Sequence, residues 1–248
     1  MKQNFVKEKY MKNYLAIILF SLAITSFGQF RPNTDKVWNR EEADNKKFSL
    51  GYFLGTNLMS FKVVPNESGV NEQGMIYLRQ ENKMGFSVGL MGKMKLHENF
   101  DLKLEPNINF TERTLYFGNI ESETDSMRAV KSTYIDIPLL FKVHGDRWVN
   151  TRPYLQGGVG YVVNLQSNEK KEEDNQDNIF RMKTHNFNWQ IELGVELYLK
   201  RVKLTPALKG VFFFNNELVQ DNPDTNPQWA GSLKSLSTRG VFFSLKFE

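Results

Sequence analysis

Apolar and polar residues alternate with a period of two over most of the chain beyond residue 48, and a helical period is nowhere sustained. The clearest case is the segment 187–197, in which every odd position is apolar and every even position is polar, charged or glycine. Successive side chains of a strand point to opposite faces of its sheet. Each alternating segment therefore predicts a strand with one apolar face and one polar face.

The alternation predicts eight strands. The first runs from Phe48 to Ser60, and the others cover residues 84–96, 100–110, 134–144, 155–165, 187–200, 202–214 and 241–247. The connections alternate between long polar segments and short turns. The long segments are residues 61–82, 117–131, 166–186 and 215–237, and the short turns lie near 97–99, 145–151 and 200–202. This pattern is typical of outer-membrane barrels. It predicts an all-β fold: an eight-stranded antiparallel transmembrane β-barrel over residues 48–248, with short periplasmic turns and long extracellular loops.

The residues before the first strand have a different character. Lys7, Lys9 and Lys12 precede an apolar run from Leu15 to Phe27, which ends at small residues. The run is shorter than the roughly 20 residues that a membrane-spanning helix needs. We therefore expect a secretory signal peptide over residues 1–28, starting at Met1 or Met11, and a polar periplasmic lead-in over residues 29–47.

The amino-acid composition limits the kinds of partner and site that this chain can have. Of the 32 Lys and Arg and 28 Asp and Glu residues, four basic and one acidic residue lie in the first 28 positions, so the rest of the chain is nearly neutral. A nucleic-acid partner therefore has no electrostatic support. The absence of cysteine excludes disulfides, thiolate metal sites and a cysteine nucleophile, and only three histidines are present. We expect no metal, no cofactor and no small-molecule substrate.

A soluble alternative has the same alternation, because a lipocalin-like barrel also consists of eight two-faced strands. In that barrel the apolar face points inward and the charges face water. The uniform apolar faces of all strands and the asymmetry of loop lengths favour the membrane barrel, in which the charges share a narrow lumen.

Six charged residues on the polar faces are predicted to form a lumen charge network: Lys93, Lys95, Lys103, Glu105, Glu192 and Glu196. Buried charges must be paired or hydrated, and eight strands leave little room for water. We therefore expect the lysines to neutralise the glutamates and to fill the lumen, which argues against a porin. Glu192 and Glu196 are too far apart along one strand to act together on one bond.

No catalytic set emerges from the sequence. His97, His144 and His185 belong to separate segments, and His185 is the histidine predicted near the outer rim, where a barrel hydrolase would need one. The stretch Gly157-Gly158-Val159-Gly160 resembles a phosphate-binding loop, but no Lys-Ser/Thr pair follows it. Small residues where barrel strands pack closely explain that stretch better.

The predicted loop from Asn215 to Ser237 is unusually apolar for an exposed segment. Its apolar residues include Leu218, Trp229, Leu233 and Leu236. Two interpretations remain open: a contact surface for another protein, or a lid that packs over the mouth of the barrel.

Two motifs carry a resemblance to a known family: Tyr134-Ile135-Asp136-Ile137-Pro138-Leu139 and Arg152-Pro153-Tyr154-Leu155-Gln156-Gly157-Gly158. Together with Lys203-Leu204-Thr205-Pro206-Ala207-Leu208-Lys209 and the ending Leu245-Lys246-Phe247-Glu248, they resemble outer-membrane barrels of Bacteroidota, most closely the PorT/SprT family. The resemblance spans residues 48–248. It implies a non-enzymatic role in the type IX secretion system, which serves gliding motility in some relatives, and it supplies no catalytic residue.

The sequence thus predicts an exported protein of the cell outer membrane that is an accessory or assembly component of type IX secretion. Its expected partners are outer-membrane lipid and other secretion components. The alternative is a structural or adhesive outer-membrane barrel outside secretion. A third class comprises a ligand-binding soluble barrel and a lipid-modifying barrel enzyme.

Overall fold

The computed structural model describes residues 38–67, 78–118, 120, 126–171, 180–220 and 229–248. The predicted signal peptide and residues 29–37 of the lead-in lie outside this set. The chain divides into two compact units, 1–38 and 39–248, and all elements named below belong to the second. Among the described residues, no helix is long and apolar enough to cross a membrane.

The described chain folds into ten strands, one short α-helix and one 3-10 turn. Their bounds are α1 (Glu42–Asn45), β1 (Phe48–Pro65), β2 (Leu78–Asn82), β3 (Met84–Lys95), β4 (Phe100–Leu104), β5 (Asn107–Phe117), β6 (Met127–His144), β7 (Thr151–Asn164), β8 (His185–Tyr198), β9 (Lys203–Phe213), the 3-10 turn (Ala230–Ser232) and β10 (Leu233–Phe247). Every pairing between these strands is antiparallel.

The ten strands close into a ring of eight. The sheet order runs β1-β10-β9-β8-β7-β6-β4-β3, and β3 pairs back with β1. β4 and β5 form one ring position, since both pair with β3 and β6 in a single register. Pro106 between them, and Pro138 opposite on β6, have no N–H to donate to the ladder. The prediction of an eight-stranded antiparallel barrel is confirmed.

β2 and β3 form another single ring position, separated by a bulge at Lys83. The register against β5 shifts by one residue between Asn82↔Arg113 and Phe86↔Phe110. The ladder between β1 and β3 ends at Leu58↔Met84. Beyond it, the Gln80 side chain both donates to and accepts from the Phe61 backbone, at 3.0 Å each. A side chain thus replaces the backbone ladder between β1 and β2.

The strands reach further on the extracellular side than predicted. β1 continues to Pro65 instead of ending at Ser60, β2 lies within the predicted loop 61–82, and β10 begins at Leu233 within the predicted loop 215–237. β5 and β6 likewise extend into the predicted loop 117–131. Where a strand extends beyond the membrane, its outward side chains face water and need not be apolar. The alternation of apolar and polar residues therefore ends before the backbone ladder does.

The apolar side chains face outward. Leu50, Met84 and Leu90 are 83%, 77% and 65% exposed, whereas Glu105 and Lys142 on the inward face are at most 1% exposed. A water-soluble barrel would show the reverse arrangement. The outward belt fits a hydrocarbon environment, and this excludes the lipocalin-like alternative.

Candidate functional site: the lumen and its two ends

The predicted residues Glu105 and Lys103 meet in the lumen at the junction of β4 and β5. The Nζ atom of Lys103 lies 2.8 Å from Oε1 of Glu105. Lys246 of β10 approaches the other oxygen of the same carboxylate at 2.7 Å. Gln156 of β7 donates to Glu105 at 3.2 Å. Three ring positions therefore converge on one buried carboxylate.

Glu192 on β8 shares two of these partners. Lys246 lies 2.6 Å from its Oε1, and Gln156 donates to the same atom at 3.0 Å. The hydroxyl of Tyr154 donates to it at 2.6 Å. Lys246 is thus the cation that joins Glu105 and Glu192.

Glu196 anchors a second group nearer the periplasm. Its carboxylate lies 2.6 Å from Lys142, 2.7 Å from Arg152 and 3.3 Å from Lys203. Lys142 also reaches Asp101 at 3.2 Å, which continues the network onto β4.

Lys93 and Lys95 do not pair with these glutamates, in contrast to the expected neutralisation. Lys93 lies 3.0 Å from Glu248, and the half-buried Lys95 donates to the backbone oxygen of Asp44 at 2.8 Å. Both lysines lie near the periplasmic end of β3. Lys203 shares Glu248 at 2.6 Å. Burial alone would raise the pKa of Glu248, but Lys203 and Lys93 lower it to about 2.

Several participants were missing from the predicted network: Asp101, Lys142, Arg152, Lys203, Lys246 and Glu248. All but Glu248 occupy the same inward phase of their strands as the predicted residues. The alternation could therefore have identified them. Their pairing could not be read from the sequence, because it depends on strand stagger across the ring.

The middle of the lumen is lined by amides. Asp136 accepts from Gln190 at 2.6 Å and from Asn188 at 3.3 Å. Lys209, which is 3% exposed, lies 5.0 Å from the ring centre of Phe242. This layer separates the ion pairs from the apolar residues above it.

An apolar cluster fills the extracellular end of the barrel. Its buried members are Phe61, Leu115, Phe117, Val130, Phe180, Met182, Leu218, Ala230, Leu233 and Leu236. Beneath it, the Arg113 guanidinium lies 3.8 Å from the Phe61 ring centre and donates to Ser132, Tyr134 and Thr238 at 2.8–3.0 Å. We call these apolar residues the extracellular cap. Together with the ion pairs below, the cap closes the lumen.

The extracellular cap contains three of the four residues that were candidates for a contact loop. Leu218, Leu233 and Leu236 are at most 4% exposed, so they are not available to another protein. Trp229 is half-buried and lies 4.3 Å from the Arg128 guanidinium. Among the described residues of this segment, Leu218, Leu233 and Leu236 pack inside the barrel mouth.

Glu217 lies inside the capped end of the barrel. Its carboxylate accepts hydrogen bonds from the Thr238 backbone N–H and, at 3.4 Å, from the Tyr134 hydroxyl. Burial raises its pKa, and the Thr238 hydrogen bond and the Arg113 charge oppose that rise. The residue ties the β9–β10 connection to β6 and β10.

The described part of the lead-in is fastened to the periplasmic end of the barrel. The Asp44 carboxylate lies 3.0 Å from both Arg147 and Arg152 and accepts from the Tyr198 hydroxyl at 2.7 Å. Burial alone would raise the Asp44 pKa, but the Tyr198 hydrogen bond and the two arginines lower it. The Arg147 guanidinium lies 3.7 Å from the Tyr198 ring centre. We call Asp44, Arg147, Arg152 and Tyr198 the periplasmic latch.

The remaining candidates fall in separate places. His185 is on the outward face and shares a 2.6 Å hydrogen bond with the Tyr161 hydroxyl, whereas His144 lies inside, 3.5 Å from Asp101. Gly158 lies within β7, where a Cβ atom would clash with the Leu139 carbonyl oxygen of β6. Among the described residues, no group of three or more His, Cys, Asp or Glu side chains could hold a metal ion.

The buried carboxylates of the lumen are all engaged by buried donor side chains. The carboxylates of Glu105, Glu192 and Glu196 each accept from two or more buried donors, and each of these residues is at most 3% exposed. Charge-assisted hydrogen bonds of this kind are roughly twice as strong as neutral ones, and here they connect strands on different sides of the barrel.

Comparisons with solved structures return small outer-membrane barrels. Neisserial surface protein A matches with 9% identity over 81% of this chain and 98% of its own, at a TM-score of 0.41. The outer membrane protein AlkL matches with 12% identity over 89% and 93%, also at 0.41. The attachment invasion locus protein Ail of Yersinia pestis matches with 7% identity over 82% and 99%, at 0.37.

A search of curated proteins finds no significant match. A family model described as an outer membrane protein beta-barrel domain matches residues 27–219, which is more than half of the chain. The inward charges, the outward apolar belt and this match agree: the chain is an outer-membrane β-barrel protein and belongs to the outer membrane protein beta-barrel domain family.

Proposed function

We propose that this barrel is a non-enzymatic component of the type IX secretion system, with an accessory or assembly role linked to gliding motility in relatives. The support for secretion is the resemblance of residues 48–248 to the PorT/SprT family. The physical support is that the barrel's own lumen offers no route for a protein.

The closed lumen is the observation that carries the proposal. Lys246, Glu105 and Glu192 join strands across the lower lumen, and Leu115 and Leu236 in the extracellular cap are 0% exposed. An eight-stranded barrel is in any case too narrow for a folded protein. The barrel therefore acts through contacts with other secretion components at its rims.

Deletion of the gene in its native bacterium tests the role. We expect proteins with the type IX C-terminal signal to disappear from the culture medium and to accumulate inside the cell, as measured by mass spectrometry. Complementation with the wild-type gene should restore them. Unchanged secretion, with the barrel's absence verified, would contradict the proposal.

The alternative is a structural or adhesive barrel outside secretion. The observation that favours it is the extension of β1, β5, β6 and β10 beyond the apolar belt, stiffened by the extracellular cap. A deletion strain with intact secretion but reduced surface attachment or envelope integrity would support this alternative.

A further inference from the structure

A groove of about 560 Å³ opens on the outward face of the barrel, between β3, β5 and β6. Met84, Phe86 and Phe110 form its apolar part. These three side chains are 46–77% exposed. This surface lies in the membrane, so hydrocarbon chains are available to cover it.

The other end of the groove is polar. Glu112, Lys131, Thr133 and Gln166 line it, and Thr133 lies 3.5 Å from Gln166. Glu112 and Lys131 are direct cross-strand neighbours in the β5–β6 ladder. Phe110, two residues before Glu112 on β5, pairs with Thr133. The lining of the groove thus changes from apolar at Phe110 to charged at Glu112 within two residues of β5.

Lys131 carries the excess positive charge of this polar end, because the neighbouring Glu112 contacts Lys83 instead. The Glu112 carboxylate lies 2.6 Å from Lys83, so its charge is already matched. Within the described parts of the chain, no hydrogen-bond or ion-pair partner is found for the exposed Lys131 ammonium. Two lysines therefore face one carboxylate, which leaves a net positive charge at the head of an apolar groove.

The direction of the groove matches the outer leaflet. β5 runs from Asn107, which pairs with Asp136 at mid-height of the barrel, toward the β5–β6 connection, so Glu112 and Lys131 lie on the extracellular side of Phe110. An amphiphile of the outer leaflet has its headgroup on that same side. Anionic headgroups attract lysines at a membrane surface.

We propose that this groove binds a phosphorylated glycolipid of the outer leaflet, with an acyl chain along Phe86 and Phe110 and a phosphate at Lys131. The apolar part selects a lipid over free phosphate, and the unpaired ammonium selects a phosphorylated headgroup over a neutral one. The site does not depend on the role in secretion.

The test is native mass spectrometry of the full barrel in micelles of an uncharged detergent. Lipid A and the same lipid A after dephosphorylation are the two probes. The wild type should bind the phosphorylated form about five- to tenfold more tightly, the range expected for one lysine at an anionic surface. Lys131→Gln should abolish this preference. The matched control Lys62→Gln removes an exposed lysine of β1 outside the groove and should retain it.

Glu112→Gln provides a change in the opposite direction. It frees Lys83, so affinity for phosphorylated lipid A should rise. An unchanged preference in Lys131→Gln would overturn the proposal, as would a decrease in Glu112→Gln. Inorganic phosphate added at millimolar concentration should not displace the lipid; complete displacement would indicate a phosphate site and would also overturn it.

Discussion

The Nζ atom of Lys246 in β10 lies 2.7 Å from Oε2 of Glu105 at the junction of β4 and β5. Two ring positions, β1 and β3, separate these strands on one side of the barrel, and four separate them on the other. The ion pair therefore crosses the lumen. It connects the last strand to the third ring position, which no backbone ladder joins directly.

Removal of the Glu105 carboxylate should destabilise the whole barrel. Glu105→Ala leaves the buried Lys103 without its carboxylate partner and leaves the buried Lys246 with Glu192 alone. Loss of one partner of a buried pair costs about 3–5 kcal/mol. Urea unfolding in lipid vesicles would measure the loss. Glu98→Ala in the exposed β3–β4 turn is the matched control and should leave the unfolding midpoint unchanged. An equal midpoint for both variants would show that the lumen network does not hold the strands together.

The extracellular cap should be sensitive to the loss of volume. Leu236 is 0% exposed among Leu115, Leu218 and Leu233, so Leu236→Ala should cost about 2–5 kcal/mol through lost burial and a residual cavity. The exposed neighbour Lys234→Ala should be nearly neutral. Thermal unfolding on semi-native gels would compare the two, and equal melting temperatures would argue against a packed cap.

The periplasmic latch should open in acid. Because the folded-state pKa of Asp44 is below its ordinary value of 3.8, its stabilising contribution is complete above pH 3.8 and is lost as the pH falls through the lower folded value. A spin label on Lys46→Cys reports this, since the chain has no other cysteine. We expect slow label motion above pH 3.8 and faster motion below the folded pKa.

Two variants separate the latch from general unfolding at low pH. Asp44→Asn removes the charge that Arg147 and Arg152 contact, so the label should move fast at every pH. Glu42→Gln alters an exposed carboxylate of the same helix and should keep the wild-type profile. A pH-independent label in the wild type would contradict the assignment.

Gly158 should be intolerant of any side chain. A Cβ atom there clashes with the backbone carbonyl of Leu139, whereas at Gly92 the nearest atom is a flexible Leu50 methyl carbon 3.8 Å away. Gly158→Ala should therefore reduce the folded, heat-modifiable fraction on gels, and Gly92→Ala should not. Equal folded fractions would mean that β6 and β7 can separate without cost.

The sequence by itself determined the class of fold. Strict alternation in β8, from Phe187 to Leu197, assigns each side chain to a face, because the period of a strand is two. It also placed Glu105, Glu192 and Glu196 on the inward side. It underestimated the lengths of β1 and β10, because the outward face beyond the membrane no longer has to be apolar.

Only the tertiary structure decided which residues meet. The pairing of Lys246 with Glu105, of Lys93 with Glu248, and of Asp44 with Arg147 depends on the stagger of strands around the ring and on the path of the lead-in. Likewise, Leu218 and Leu236 are buried because both pack against Phe61 and Leu115 in the cap, residues that are distant in the sequence. Local patterns fix the direction of a side chain, whereas closure of the barrel fixes its partner.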